Sequence, residues 1–311
     1  MAKVVLTSLK ARDFTDDEIY RAVERAIDGL DFSFRDGIQN VVVKPNLCYY
    51  WDYSTGETTD PRVVSAVIDY VRHKLGKDVS ICVAEADASA MKTKYSFRVL
   101  GYDKLCQKKN AKLVNLSEGN IVDVRVNVGG KEIALPLNEI LLGADLIINV
   151  PKLKTHNFIG ATCALKNMFG AISKPRKFSY HEIVSYVIAG VNKIVKSHII
   201  VVDGLIVRGS YPKKMGVIMA GDDPLATDFV ALEIMGFNPK RVPYLSLAVK
   251  EQIGKVRNIK LIEDGARLSE IKRSFPSHSF LLHRISWNLQ LKMLRLYEAV
   301  VGDVIPPILE K

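Results

Sequence analysis

The chain has 311 residues, and its 44 Lys and Arg against 34 Asp and Glu give a formal net charge of +10 at pH 7. Apolar residues make up 48% of the sequence and charged residues 25%. These values are typical of a globular protein that buries a large core, and they exclude disorder as the main state. The positive charge indicates an anionic partner, which could be nucleic acid, an acidic membrane surface or a small acidic molecule.

The cysteines indicate a reducing compartment. Cys48, Cys82, Cys106 and Cys163 are too far apart in the sequence to form a CxxC motif, which argues against a zinc ribbon or an iron–sulfur cluster. No apolar run approaches the ~18 residues of a membrane span, and the N-terminus lacks the apolar core of a signal peptide. We therefore expect a cytoplasmic protein with free thiols.

Short apolar strands alternate with helices along the chain. Thr15 and Glu18 predict a capping box at the start of the first helix, and Asp60 with Pro61 predicts the start of the next. Apolar runs predict strands at 4–6, 41–43, 79–84, 112–116, 146–150, 199–202 and 217–220. A pair of glycines joins two further segments into a predicted β-hairpin over about 121–136.

This pattern predicts an α/β fold with a mostly parallel sheet flanked by helices, an inserted β-hairpin and a C-terminal helical tail. We expect the α/β domain to span 1–265 and the tail 266–311. The tail carries an apolar stripe at helical spacing, formed by Leu282, Ile285, Leu289, Met293, Leu296 and Val300. We expect this helix to dock on the body or on a second copy of the chain, with membrane-surface contact as the alternative.

The excess positive charge is concentrated in two segments. Residues 152–181 contain six Lys and Arg and no acid, residues 240–260 carry a net +5, and the remainder is close to neutral. Charge alone therefore no longer favours nucleic acid. We expect a helix between Gly160 and Gly170 that carries Lys166 and Asn167, with its N-terminal N–H groups available to an anion.

Polar residues follow several of the predicted strands, and in an open α/β sheet ligands bind at the carboxyl ends of the strands. We expect catalytic roles for His156, Lys154, Asp87 and Asp203, with His156 moving a proton. The expected ligand-binding residues are Lys44, Asn46, Thr59, Lys152, Lys166, Asn167, His181 and Asp222. A divalent metal held by Glu85, Asp87 and Asp203 is an open alternative, since carboxylates suit a hard cation. Asp60 and Asp223 are better interpreted as helix caps.

An ordered set of short motifs supports a family resemblance. The motifs are KPN at 44–46, TTDP at 58–61, PKLKTH at 151–156, LKNMFG at 165–170, DG at 203–204 and GDDP at 221–224. Together, over about 41–236, they resemble the family called domain of unknown function 362. Some members of that family carry ferredoxin-like iron–sulfur segments, which this chain lacks. A more distant similarity, in the polar strand ends and the Lys and His content, is to the nickel-pincer lactate racemase group.

Three functions follow as hypotheses. The first is an enzyme or binding protein for a small anionic metabolite, held at a rim rich in Lys and His. The second is a non-catalytic redox-accessory protein that binds a metal or an iron–sulfur cofactor. The third is non-specific nucleic-acid binding, although the sequence contains no known nucleic-acid module and its basic segment has few aromatic residues. We also expect a homo-oligomer formed through the C-terminal helix.

Overall fold

The computed structural model describes residues 1–10, 13–89, 91–156, 160–265 and 267–276, together with residues 292 and 296. Its strands are β1 (Lys3–Ser8), β2 (Asn40–Pro45), β3 (Ser80–Glu85), β4 (Lys112–Asn115), β5 (Ile121–Val128), β6 (Lys131–Asn138), β7 (Leu146–Val150), β8 (Lys152–His156), β9 (Gly160–Thr162), β10 (Ile199–Arg208), β11 (Pro212–Gly221) and β12 (Lys260–Asp264). Its α-helices are α1 (Asp16–Asp28), α2 (Pro61–Leu75), α3 (Thr93–Val99), α4 (Tyr102–Lys108), α5 (Glu139–Leu142), α6 (Ala164–Met168), α7 (Val184–Ile194), α8 (Pro224–Met235), α9 (Pro243–Lys250) and α10 (Leu268–Ser274).

One large sheet organises the fold. Its strand order is β12-β1-β11-β10-β7-β2-β3-β4, and β8 and β9 extend it beside β10. The run from β10 through β7, β2 and β3 to β4 is parallel, whereas β11 is antiparallel to both of its neighbours. The predicted α/β fold with a mostly parallel sheet and flanking helices is therefore confirmed.

The strands are apolar throughout because both faces of the sheet are covered. Val41 and Val43 pack into one core, which also contains residues of α1 and α2, while Val42 between them packs into the other. The second core contains residues of α6, α7 and α8. Side chains alternate between the faces of a strand, so a central strand of such a sheet needs apolar residues at every position.

The predicted hairpin is present, and it stands apart from the large sheet. β5 and β6 pair antiparallel as a separate two-stranded sheet that packs on α7. The approach is close at Gly190 of α7, where a Cβ atom would lie 2.8 Å from Ile133 Cδ1 and 3.1 Å from Val126 Cγ1. A glycine at this point lets the helix and the hairpin pack together.

The basic segment folds differently from our expectation. Pro151 alone separates β7 from β8, so the residues expected as a polar rim form a strand that pairs with β10 and β9. The helix expected between Gly160 and Gly170 is reduced to α6, because β9 occupies the first residues of that interval. The backbone of β9 is paired with β8 and cannot also begin a helix.

The C-terminal segment is described only in part. α10 packs against α8, and no helix among the described residues is long and apolar enough to cross a membrane. Of the predicted apolar stripe only Leu296 lies within the described residues, where it is exposed. Docking of that helix, the homo-oligomer, the membrane contact and the division into domain and tail remain predictions.

Candidate functional site

A pocket of about 230 Å³ lies beyond the carboxyl ends of β2 and β3 and against α6. This is the edge of a parallel sheet where ligands bind. Its polar or ionisable lining residues include Asn46, Cys48, Glu85, Ser89, His156, Lys166, Asn167, Lys177 and His181. The pocket therefore brings together several residues that the sequence predicted, from five separate stretches of chain.

Lys166 is a cation of the pocket that has no internal counter-ion among the described residues. Its side chain is half-buried and lies 5.3 Å from the centre of the Phe169 ring, without a hydrogen-bond acceptor or a paired carboxylate in the described part of the chain. Burial lowers the pKa of Lys166 to about 8, and the positive charges of Lys154 and Lys44 lower it further. Cys48 and Glu85 act to raise it. An ammonium group so placed can take a ligand anion as its partner.

Lys177 is a second lysine of the pocket, and it is held in place. Its Nζ donates to the main-chain oxygens of Asp87 at 2.6 Å and Gly170 at 3.2 Å. Burial lowers the pKa of Lys177 to about 7. The negative charge of Glu85 acts to raise this pKa, and the positive charge of Lys44 acts to lower it. In the sequence Lys177 appears only as one of the cations of the basic segment. No motif or position in the sequence identifies it as a pocket residue.

Lys44 and Glu85 neutralise each other beside the pocket. The Lys44 Nζ lies 2.8 Å from both carboxylate oxygens of Glu85. The main-chain N–H groups of Leu47 and Ala86 donate to the same carboxylate at 3.2 and 3.0 Å, and burial lowers the pKa of Lys44. Glu85 lines the pocket. Lys44 does not make the predicted ligand contact, because its ammonium is buried and paired with Glu85.

Two histidines also line the pocket. His156 ends β8, His181 lies in the turn Lys177–Ile183, and both line the pocket as predicted. Burial lowers the pKa of His156 well below its ordinary value, and the charges of Lys166, Lys154 and His181 add to this effect. His156 is therefore neutral at pH 7.

Two polar atoms at the pocket are buried without a hydrogen-bond partner in the described part of the chain. They are Asn46 Oδ1 and Ser89 Oγ. Leaving such an atom unsatisfied costs about 1–3 kcal/mol, so it calls for a partner from outside the chain. Asn46 was predicted from its position after β2, whereas nothing in the sequence around Ser89 marks it.

Asn167 holds the pocket wall together. Its Oδ1 accepts from Asn46 Nδ2 at 2.9 Å, and its Nδ2 donates to Asn149 Oδ1 at 2.8 Å. This amide chain fastens α6 to β7 and to the segment after β2. Asn167 lines the pocket as predicted, with its side-chain amide already engaged by the protein.

Thr59 lies behind this wall. Its hydroxyl donates to the carbonyl of Val150 at 2.8 Å and accepts from the main-chain N–H of Asn46 at 2.9 Å. The side chain is buried and does not line the pocket. The predicted ligand contact of Thr59 is therefore replaced by a role in supporting Asn46.

Lys152, Lys154 and Asp203 lie outside the pocket. Lys152 is in register with Asp203 across β8 and β10, and its Nζ lies 2.7 Å from Asp203 Oδ2 with both side chains fully buried. Lys154 contacts the Glu57 carboxylate at 3.0 Å and its carbonyl at 2.7 Å. Their predicted convergence on a ligand is not found, because the formation of β8 gives each lysine an internal acidic partner.

Asp222 lies at the opposite edge of the sheet. β11 is antiparallel to β10, and Gly221 at its end faces Ile200 near the beginning of β10. The Asp222 carboxylate accepts from the main-chain N–H of Lys3 at 2.8 Å. The prediction that Asp222 joins the pocket edge is therefore wrong, since an apolar pattern does not reveal the direction of a strand.

A buried carboxylate accepts hydrogen bonds from the first main-chain N–H groups of α6. Asp228 accepts from the main-chain N–H groups of Ala164 at 2.6 Å and Leu165 at 3.2 Å. Burial raises the pKa of Asp228 to about 7, although these N–H groups oppose the rise. The N–H groups expected to hold a ligand are already satisfied, so the anion-binding role predicted for this helix end is wrong.

The predicted metal ligands are not brought together. Asp87 accepts from the main-chain N–H of Thr93 at 2.8 Å and lies 3.5 Å from Lys92 Nζ, and its side chain does not line the pocket. Glu85 and Asp203 are paired with separate lysines. Within the described ranges, no group of three His, Cys, Asp or Glu side chains is placed to hold a metal ion.

The fold and the pocket define an α/β protein with a basic cavity at the carboxyl ends of its parallel strands. The chain belongs to the family described as Domain of unknown function (DUF362), which matches residues 41–233, and the predicted family resemblance is thereby confirmed. Over 230 residues the chain is 26% identical to a thylakoid-associated protein of Synechocystis sp., a match that covers 69% of this chain and 68% of that protein.

A solved structure with a similar arrangement is the lactate racemase apoprotein from Thermoanaerobacterium thermosaccharolyticum. It has 14% sequence identity and a TM-score of 0.48, and the match covers 73% of this chain and 56% of the racemase. The chain thus spans little more than half of that protein. A fold similarity of this size does not transfer function.

Proposed function

We propose that the pocket binds a small anionic metabolite, with Lys166 and Lys177 as its cationic contacts. The observation that carries this proposal is the half-buried ammonium of Lys166, which has no acidic partner in the described part of the chain. Burying a charge is costly unless it is paired, and a carboxylate or phosphate group would pair it.

The charge balance of the pocket supports an anion. Lys44 and Glu85 cancel each other, and His156 is neutral at pH 7 because its pKa is lowered. The remaining charge comes from Lys166 and Lys177, which are both cations at slightly acidic pH. A ligand with one or two negative charges would neutralise them.

The size of the pocket supports a small ligand. Its volume of about 230 Å³ lies below the range of about 300–1,000 Å³ of typical drug-sized ligand pockets. A short carboxylic acid or a small phosphate ester suits this space, whereas a nucleic-acid strand does not. His156 would then move a proton to or from the bound ligand, which makes the protein a candidate enzyme. The cytoplasmic location belongs to the same proposal and rests on the cysteine usage.

Thermal unfolding in the presence of anions tests the proposal. Sulfate, phosphate and pyruvate at millimolar concentration are expected to raise the Tm of the parent protein, since a ligand that binds only the folded state stabilises it. Lys166→Met is expected to lose this shift. Lys108→Gln, which removes a charge from an exposed lysine of α4, serves as the matched control and is expected to keep it.

Two results would contradict the proposal. If all three anions leave the Tm of the parent unchanged at slightly acidic pH, the pocket is not an anion site. If Lys166→Met retains the full shift while its circular dichroism matches the parent, the anion binds elsewhere. A shift that disappears equally in Lys108→Gln would reflect the overall charge of the protein and not the pocket.

A further inference from the structure

We propose, building on the anion-binding function above, that the ligand is a small 2-oxo acid and that Lys166 forms an imine with its carbonyl carbon. The two pocket lysines lie in different surroundings. Lys177 is fixed by two main-chain carbonyls. Lys166 lines the cavity, and among the described residues its ammonium contacts the Phe169 ring and no hydrogen-bond acceptor.

A lysine becomes a nucleophile when it is desolvated or lies near other cations, because both effects favour the neutral amine. Lys166 meets both conditions, since burial and the charges of Lys154 and Lys44 lower its pKa to about 8. A substantial fraction of the amine is therefore neutral at mildly alkaline pH. An ordinary surface lysine would be almost fully protonated there.

The bond changes start from the neutral amine of Lys166, which has lost its proton to solvent. Its nitrogen attacks the carbonyl carbon, the carbonyl π electrons move to oxygen, and a proton passes through water from the nitrogen to that oxygen, which gives a carbinolamine. The carbinolamine hydroxyl then takes a proton from solvent and leaves as a water molecule, while the nitrogen lone pair forms the C=N bond. The net change is one protonated imine and one released water. His156 lines the same pocket and stays neutral, because its pKa is lowered.

The unsatisfied atoms of the pocket suit this ligand class. A 2-oxo acid has a carboxylate next to the reacting carbonyl, and the Ser89 hydroxyl and the Lys177 ammonium are donors for such a carboxylate. Asn46 Oδ1 is a buried acceptor at the pocket, and the carbinolamine hydroxyl or the protonated imine can donate a hydrogen bond to it.

Reductive trapping tests the inference. The full chain is incubated with pyruvate or glyoxylate and sodium cyanoborohydride, and intact mass spectrometry detects an adduct equal to the oxo acid less water plus two hydrogens. Peptide mapping is expected to place the adduct on Lys166. Lys166→Arg keeps the positive charge but has no nucleophilic amine, and its label is expected to fall by about ten-fold or more. Lys108→Gln is the control that keeps the label, and sulfate is expected to compete with trapping in the parent.

The outcomes separate this inference from the function on which it rests. If pyruvate raises the Tm of the parent but leaves no adduct, or if folded Lys166→Arg labels as strongly as the parent, the imine is overturned and the anion site stands. An adduct spread evenly over exposed lysines also overturns it. If neither sulfate nor pyruvate stabilises the parent, the anion-binding proposal itself fails.

Discussion

Lys152 and Asp203 form an ion pair with 2.7 Å between Nζ and Oδ2, and neither side chain is exposed. Asp203 also accepts from the main-chain N–H groups of Asp60 at 2.7 Å and Leu205 at 3.0 Å. Burial raises the pKa of Asp203, while Lys152 acts to lower it. The pair joins β8 and β10 to the beginning of α2, and its role is to support the structure.

Removing one member of this pair should cost stability. Lys152→Met leaves a buried carboxylate without its counter-ion, and such losses amount to about 3–5 kcal/mol. The double variant Lys152→Met with Asp203→Asn should recover part of this loss, because Asn is uncharged and keeps an acceptor for the N–H groups of Asp60 and Leu205. Urea unfolding followed by circular dichroism measures both. Arg125→Met is the control, because Arg125 pairs with Glu132 at 3.2 Å on the surface with both side chains exposed, and it should cost less than about 1 kcal/mol.

Anion affinity should fall as the pH rises. The pKa of Lys177 is about 7 and that of Lys166 about 8, and each lysine loses its positive charge above its pKa. Between about pH 6.5 and pH 9 we expect sulfate to bind about ten-fold more weakly, a loss of about 1.4 kcal/mol. Calorimetric titration measures this, since sulfate keeps its charge over the range. Lys166→Met should bind weakly at both pH values, and a parent affinity independent of pH would contradict the charge assignment.

The burial of Lys177 should also make folding stability depend on pH. Its pKa is about 7 in the folded protein against an ordinary value of 10.5. Between these values the unfolded chain binds the proton more often, so this lysine makes the folded state more stable as the pH rises. The parent should gain about 2 kcal/mol over Lys177→Met between about pH 7 and pH 9. Urea unfolding of both proteins at the two pH values gives the difference, and parallel pH profiles would show that Lys177 is not buried as described.

Asp228 should be required for the position of α6. Asp228→Ala leaves the N–H groups of Ala164 and Leu165 unsatisfied, and an unsatisfied buried donor costs about 1–3 kcal/mol. Because α6 carries Lys166, the variant should also lose anion-dependent thermal stabilisation. Asp228→Asn retains an acceptor and should be the milder change. If parent and Asp228→Ala are equally stable, another group must accept hydrogen bonds from the first N–H groups of α6.

The sequence predicts the strands of the sheet well because burial on both faces demands an uninterrupted apolar run. β7 occurs at the residues predicted, and the expected gathering of polar residues at one edge of the sheet brings Asn46, Lys166 and His156 into one pocket. What the residues cannot show is which way a strand runs. Asp222 was misplaced for that reason alone, since its strand enters the sheet antiparallel.

The roles of the lysines in the basic segment were harder to predict, because a sequence shows which residues are charged but not which opposite charges they pair with. Lys152 and Lys154 find acidic partners that are far away along the chain, Asp203 and Glu57. Lys166 finds no such partner among the described residues, and nothing in its local sequence distinguishes it from them. Ser89 stands out only because its hydroxyl is buried at the pocket without a partner in the described part of the chain, and only the folded structure shows this.

The amide chain from Asn46 through Asn167 to Asn149 has a consequence for how a ligand is recognised. Asn167 fixes the main chain of α6 at the residue next to Lys166, so the backbone that carries the lysine is already ordered. In the proposed anion complex, binding would immobilise the Lys166 side chain on a backbone that is already ordered, at a cost of about 2 kcal/mol or less. We therefore expect the pocket to select ligands by the distance between their charged group and the atom that Lys166 reaches.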